Sequence, residues 1–350
     1  MTSLDPPQRQ ALLGVEATAL VRRRWPVAAT GDVEAFAGGV TLLEVGTGRG
    51  WLLYDGDSAM SLGAALVWAQ RHGVGELHIM VDLRGGNDAA VRVMARRAGT
   101  FRVPPTVWSV AGRDLERVLP AQSVDPAGLA LLPADAARWA ALLVDHGVQP
   151  VIEHGTLCGD VLGLEVARVV GERAWGWHLE VGVGGHDREA RREMMLDEDP
   201  ADALDQVVAL VRTWRSPDAR RHPANILAPE RWLRSVVASR PYLGGATDLV
   251  PLAPPLKRTD LRRRSPAPSA GTDLDGRDVV VVCSTGVDID LVPSAADSRL
   301  LDGRGARLVV VVPDGDDHPA TRRLAAALRQ PADVVTVGRD WPALVGAPAS

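Results

Sequence analysis

The run Val279-Val280-Val281-Val282-Cys283 decides the fold class of the C-terminal part of the chain. It is apolar at every position and only as long as a strand, which is typical of a strand covered on both faces of a parallel sheet. Similar runs follow at 308–312 and 334–337, and helical patterns at 294–302 and 319–328 alternate with them. This alternation predicts a small doubly wound unit of parallel strands.

The same alternation of strand and helix patterns continues upstream. Predicted strands of the N-terminal part are 40–45, 51–54, 76–81 and 106–110, and predicted helices are 8–24, 58–72 and 87–98. We therefore predict an α/β fold of two or three domains, with mixed sheets in the N-terminal and middle units. The predicted divisions are an N-terminal α/β domain at 1–122, a middle α/β domain at 134–245, a Pro-rich and Arg-rich linker at 251–276, and a Rossmann-like C-terminal unit at 277–350.

The composition excludes several classes of protein. Of the 350 residues, 46% are hydrophobic and 24% are charged, which are globular values and argue against a disordered chain. The apolar runs are far shorter than the roughly 20 residues of a membrane-spanning helix, so we expect no membrane partner. The N-terminus lacks a secretory pattern and the only cysteines are Cys158 and Cys283, so we expect a reducing cytoplasm.

Lys257 is the only lysine in the chain. A Walker-type phosphate loop needs a lysine after its glycines, so P-loop nucleotide hydrolysis is excluded. A Schiff-base enzyme would have to use Lys257, which lies in a Pro-rich and Arg-rich stretch where we expect it to be solvated. The net charge of −5 gives no global attraction to nucleic acid.

The stretch Leu43-Glu44-Val45-Gly46-Thr47-Gly48-Arg49-Gly50 has two interpretations. It resembles the glycine-rich first motif of Rossmann-like S-adenosylmethionine-dependent methyltransferases, which implies that Gly46, Gly48 and Gly50 approach a cofactor and that a helix follows. A β-hairpin with a glycine-rich turn explains the same residues. The two differ in whether Trp51 begins a helix or a strand.

The middle unit has predicted strands at 150–153, 161–170 and 177–183, and a helical pattern at 187–214 that Pro200 divides. The second and third of these strands carry acidic residues, in the stretches Gly163-Leu164-Glu165-Val166 and Trp177-His178-Leu179-Glu180-Val181. With the flanking helices, residues 135–215 resemble the core of the PD-(D/E)XK nuclease-like superfamily. The resemblance implies that Glu165 and Glu180 hold Mg²⁺ or Mn²⁺, that His178 is catalytic, and that nucleic acid is the partner.

The lysine that this superfamily places two residues after its second carboxylate is replaced by Gly182. An active enzyme would need Arg168, His178 or His186 instead, and arginine cannot act as a base. Three hypotheses stay open: single glutamates that point to solvent, a degenerate non-catalytic core that binds or regulates, and a metal-dependent nuclease. We expect Asp187 to be the N-cap of the following helix.

The C-terminal unit has aspartates beyond the ends of its first two strands. Ser284-Thr285-Gly286 lies at the carboxyl edge, where open parallel sheets bind ligands. The aspartates that follow are Asp288, Asp290, Asp314, Asp316 and Asp317. They are consistent with a cation site or with solvated turns and helix caps, and the caps are favoured.

Overall fold

The computed structural model describes residues 5–26, 28, 31–55, 60–83, 86, 88–122, 135–172, 176–194, 199–216, 219, 222–257 and 264–344. These residues form two compact units. The first unit takes its described residues from 1–123, 289–297 and 319–331, and the second takes them from 124–288, 298–318 and 332–350. Helices and three sheets make up both units, so the predicted multi-unit α/β class is confirmed.

The first unit is built on a six-stranded sheet whose strands follow one another in chain order. Its strands are β1 (Glu34–Phe36), β2 (Gly39–Leu43), β3 (Arg49–Tyr54), β4 (Glu76–Asp82), β5 (Thr106–Ala111) and β6 (Asp114–Arg117). The three central strands β3, β4 and β5 are parallel, and the outer pairs are antiparallel, so the sheet is mixed.

Helices cover this sheet. They are α1 (Pro6–Arg24), α2 (Leu62–Arg71) and α3 (Asp88–Ala98). Apolar residues of α1 pack on β2 and β3, where Ala17 and Val21 meet the fully buried Trp51. Ser61 fixes the start of α2, because its side chain accepts the N–H of Ala64.

The second unit begins with a four-stranded sheet in the order β10-β9-β8-β7. Its elements are α4 (Ala136–Asp145), β7 (Gln149–Glu153), β8 (Thr156–Val161), β9 (Leu164–Glu172), β10 (Gly176–Val181), α5 (Gly184–Met194) and α6 (Pro200–Trp214). All strand pairs are antiparallel, whereas a mixed sheet is predicted for this unit. The helices α4 and α6 cover one face through a core that includes Leu143, Leu204 and Val211.

The sequence pattern predicts one strand at 161–170, and the structure has a hairpin there. Leu162 and Gly163 form the turn with φ of 49° and 84°. A leucine in this left-handed conformation is uncommon, which is why the sequence pattern did not reveal the turn. The predicted division of the following helix at Pro200 is confirmed, because α6 begins there.

The second unit also contains a five-stranded sheet in chain order. Its strands are β11 (Ala246–Pro251), β12 (Ala267–Asp273), β13 (Asp278–Cys283), β14 (Arg307–Pro313) and β15 (Asp333–Val337), and α7 (Pro229–Ser239) packs on one face. The strands β13, β14 and β15 are parallel as predicted, and β11 and β12 add antiparallel pairs. The remaining helices are α8 (Leu291–Asp302) and α9 (Pro319–Ala327).

The structure differs from the predicted linker at 251–276, because residues 267–273 form β12 between β11 and β13. The strand β12 consists largely of small residues, which give no apolar strand pattern in the sequence. A Cβ on Gly271 would lie 2.0 Å from the carbonyl oxygen of Asp248, so the strand needs glycine where it passes β11. The predicted boundary segment 123–133 lies outside the described residues.

No helix among the described residues has both the length and the apolar character needed to cross a bilayer.

Candidate functional site

The face of the four-stranded sheet opposite α4 and α6 brings the predicted site residues together. Side chains alternate along β10, so Leu179 and Val181 enter the core while His178 and Glu180 point to the opposite face. A bulge where β9 pairs with β8 adds one residue to β9. Glu165 and Arg168 therefore share this face although they are three residues apart.

Glu165 is held by two arginines. Arg168 donates two hydrogen bonds to its carboxylate, both 2.9 Å long, and Nη1 of Arg188 lies 3.1 Å from Oε1. Burial alone would raise the pKa of Glu165, but the hydrogen bond from Arg168 and the nearby positive charges outweigh burial and lower it. Glu165 is therefore a carboxylate that is compensated inside the protein.

Glu180 lies on the same face as Glu165. It is the direct cross-strand partner of Arg168, and its Oε2 lies 3.8 Å from Nε of Arg188. Nε2 of His178 lies 3.9 Å from its Oε1, while Nδ1 of His178 is buried without a hydrogen bond to any described residue. The structure thus brings together the three residues predicted from the sequence, and it places Arg188 between the two carboxylates.

The helix α7 adds two further arginines. Arg231 pairs with Glu153 at the end of β7, and Nη2 of Arg234 lies 3.4 Å from Oδ2 of Asp160. Asp160 also accepts the N–H of Gly163 at 2.6 Å. Burial raises the pKa of Asp160, against the opposing effects of Arg234, Arg231 and this N–H.

The positive and negative charges of the described residues in these ion pairs are equal in number. The four carboxylates are Glu153, Asp160, Glu165 and Glu180, and the four guanidinium groups are Arg168, Arg188, Arg231 and Arg234. Buried charges need such partners, because desolvation of an unpaired ion costs several kcal/mol. We refer to these eight residues as the arginine–carboxylate network.

Cys158 lies among these charges and is buried. Burial, together with the negative charge of Glu165, raises the pKa of its thiol to about 12. A thiol in this state is not a nucleophile at neutral pH.

The start of α5 packs closely against Gly182. A Cβ on Gly182, whose φ is 147°, would lie 2.9 Å from Oδ2 of Asp187 and 3.0 Å from the backbone nitrogen of Arg188. The predicted N-cap role of Asp187 is wrong in detail, because Asp187 lies inside α5 and its carboxylate accepts the N–H of Val183 at 2.7 Å. The backbone of His186 lies in the same helix.

The glycine-rich stretch 43–50 forms a β-hairpin. Leu43 pairs with Gly50 and Leu42 with Trp51, so Trp51 lies in β3. Gly46 and Gly48 have φ of 83° and 70°, as turn glycines do. The structure shows the hairpin alternative here, and not the loop and helix on which the methyltransferase resemblance depends.

Most of the arginine–carboxylate network gives no local signal in the sequence. The arginines Arg231 and Arg234 are more than 70 positions away in the sequence from their partners Glu153 and Asp160. The two pairs form only when α7 packs on the β8–β9 turn. The pattern Asp160-Val161-Leu162-Gly163 was the available signal, since aspartate and glycine three residues apart are typical of turns. Lys257 is exposed, as predicted.

The described residues contain no group of three or more His, Cys, Asp or Glu side chains that could hold a metal ion. Comparison of the chain with protein-family models, with curated proteins and with solved structures found no match.

Proposed function

We propose that the protein is a non-catalytic interaction protein whose middle sheet resembles a nuclease-like core in which arginine replaces the metal ion. One observation supports this proposal. The guanidinium of Arg188 contacts Glu165 at 3.1 Å and Glu180 at 3.8 Å, so it lies between the two carboxylates that the resemblance assigns to Mg²⁺ or Mn²⁺. Because a guanidinium keeps its charge at every physiological pH, it compensates both carboxylates permanently.

A divalent cation would bind Glu165 and Glu180 only in competition with Arg188, and this competition is unfavourable for the cation. It would have to displace Arg188 from both glutamates while Arg168 keeps its two hydrogen bonds to Glu165. Displacing Arg188 would leave a largely buried guanidinium without its partners, which costs several kcal/mol.

His178 is the candidate general base on this face, with its Nε2 3.9 Å from Oε1 of Glu180, and the superfamily's lysine is missing. Arginine cannot accept a proton, and α5 packs closely against Gly182. Catalysis by the same face is therefore the weaker hypothesis. Nucleic acid, bound without cleavage, is the partner class proposed from the resemblance alone.

Titration calorimetry with Mn²⁺ tests the proposal. We expect no binding to the wild type, and we expect binding to Arg188→Ala, because removal of the guanidinium leaves two neighbouring carboxylates without their shared cation. The double variant Arg188→Ala/Glu180→Ala should lose that binding again. Arg212→Ala, which removes an exposed arginine of α6, is the matched control and should behave as the wild type does.

Binding of Mn²⁺ to the wild type that Glu180→Ala abolishes would contradict the proposal and favour the metal-dependent nuclease. Filter binding with single-stranded and double-stranded DNA and RNA, at two salt concentrations, tests the partner class separately. A true nucleic-acid interface should weaken as salt rises, because phosphate contacts release counterions.

A further inference from the structure

A cleft of about 410 Å³ opens within the second unit at the carboxyl edge of its parallel strands. Loops from all three parallel strands contribute to it: Thr285 follows β13, Asp316 follows β14, and Arg339 and Trp341 follow β15. This edge is where parallel α/β sheets bind small molecules, and the volume lies in the range of about 300–1,000 Å³ typical of such sites.

Arg339 contributes a guanidinium to this cleft. It forms no hydrogen bond or ion pair with any residue that the structure describes, and it is exposed. Its guanidinium packs on the backbone of Gly315, where a Cβ would lie 2.9 Å from Nε. Glycine thus leaves the space that Arg339 fills, and the donors of the guanidinium remain available to an anion.

A second guanidinium lies at the same edge. Arg264 donates to the carbonyl oxygen of Val287 at 2.8 Å and packs on Gly286, where a Cβ would lie 2.5 Å from its Cζ. Gly286 has φ of 67°, so its backbone conformation favours glycine. Arg264 therefore places a positive charge against the loop after β13.

Asp316 is fixed in the cleft as an acceptor. Its Oδ2 accepts the N–H of Gly286 at 2.6 Å, which ties the loop after β14 to the loop after β13. In nucleotide-binding units of this architecture, an acidic residue beyond the second strand accepts hydrogen bonds from ribose hydroxyls. Asp316 has the corresponding place, three residues beyond the end of β14.

The remaining wall of the cleft is apolar. It consists of Trp341 with Pro229 and Pro313. The indole of Trp341 packs edge-on against Trp232, with ring centroids 5.2 Å apart, so its orientation is fixed from behind. Trp341 is 7% exposed and Pro313 is buried, so a planar base would lie mainly on Pro229 and on the small accessible parts of the other two residues.

We propose that this cleft binds a nucleoside phosphate. The phosphate contacts Arg339 and the hydroxyl of Thr285, the sugar hydroxyls donate to Asp316, and the base lies against Trp341 and the two prolines. The site is separate from the arginine–carboxylate network and does not depend on the function proposed for that network.

Titration calorimetry of the full chain with ADP, adenosine and inorganic phosphate tests the proposal. We expect ADP to bind more tightly than adenosine or phosphate, because only ADP occupies all parts of the cleft. Arg339→Gln should raise the dissociation constant for ADP at least about tenfold, as expected for the loss of a charge-assisted contact. Thr285→Val should raise it by a smaller factor.

Arg277→Gln is the matched control, because Arg277 is also exposed but lies in the turn before β13, at the opposite end of that strand. It should leave ADP binding unchanged. Thermal melts verify the fold of each variant, and Thr285→Val provides the test if Arg339→Gln does not fold. The proposal is overturned if ADP does not bind, if it binds no more tightly than phosphate or adenosine, or if Arg339→Gln and Thr285→Val both bind it as the wild type does.

Discussion

Arg96 in α3 and Asp297 in α8 form a buried ion pair across 201 positions of the sequence, with two hydrogen bonds of 2.7 and 2.9 Å. Asp297 is fully buried, and Arg97 donates a third hydrogen bond to it at 3.1 Å. Both partners belong to the first unit. The pair therefore holds a segment from the C-terminal third of the chain to a helix of the N-terminal sheet.

Replacement of Asp297 by alanine should destabilise the protein by about 3–5 kcal/mol, because Arg96 would remain buried without a carboxylate. Urea denaturation followed by circular dichroism measures the change. Asp278→Ala is the control, since its partner Arg304 and Asp278 itself are both more than 40% exposed, and its loss should cost no more than about 1 kcal/mol. Equal losses in the two variants would show that the buried pair has no special role.

Gly163→Ala should destabilise the second unit. Gly163 has φ of 84°, and a Cβ there would lie 2.2 Å from the backbone nitrogen of Trp232, so the hairpin would have to move away from α7. Gly276→Ala is the control for the backbone conformation alone, because Gly276 has φ of 77° and open space around it. We expect about 1 kcal/mol for the control and at least about 2 kcal/mol more for Gly163→Ala. Thermal and urea unfolding distinguish the two.

Strands and helices with a local sequence pattern can be predicted from the sequence. Elements whose formation depends on contacts with distant residues cannot. The fully apolar strand β13 and the helix start at Pro200 follow from local residues. The strand β12 could not be predicted from local residues. Its alanine, serine and glycine residues fit between two neighbouring strands and give no apolar pattern.

The candidate site shows the same limit. Glu165, Glu180 and His178 could be predicted from neighbouring strands, and they do lie together. Arg188 could not be predicted as their shared partner, because its position depends on the angle at which α5 leaves β10. Whether a carboxylate pair holds a metal or an arginine is decided by such contacts.

The stability of the first unit should fall as the pH decreases below the ordinary histidine pKa of about 6.5, because of His78. Nε1 of Trp108 donates to Nδ1 of His78 at 3.3 Å, so the imidazole proton lies on Nε2, which faces Glu76 at 3.0 Å. Burial lowers the pKa of His78, although the carboxylate of Glu76 opposes this. The neutral form is therefore the one that the folded state favours. Its contribution is complete above the unfolded pKa and is lost as the pH falls through the folded pKa.

Urea unfolding between about pH 7.5 and about pH 5.5 measures this dependence. The variant His78→Gln cannot take up the proton and should show a flatter dependence than the wild type, while His318→Gln at an exposed position should retain the wild-type dependence. If His78→Gln keeps the full dependence, another group is responsible. A histidine proton titration by nuclear magnetic resonance would show directly whether the pKa of His78 is lowered.

The backbone at Gly182 leaves little room for a side chain, and replacement of Gly182 gives a direct test of the proposed non-catalytic core. Gly182→Ala should cost about 1–3 kcal/mol, because φ of 147° is unfavourable for alanine and its Cβ would meet Asp187 and the backbone of Arg188. Gly185→Ala is the matched control in α5, where a Cβ has no atom within 4 Å, and it should stabilise the helix by up to about 1 kcal/mol. We expect Gly182→Lys to be destabilised at least as much as Gly182→Ala and to gain no Mg²⁺-dependent cleavage of DNA or RNA. A stable Gly182→Lys variant that cleaves nucleic acid would mean that only the missing lysine prevents catalysis, and that Arg188 gives way to a metal ion after all.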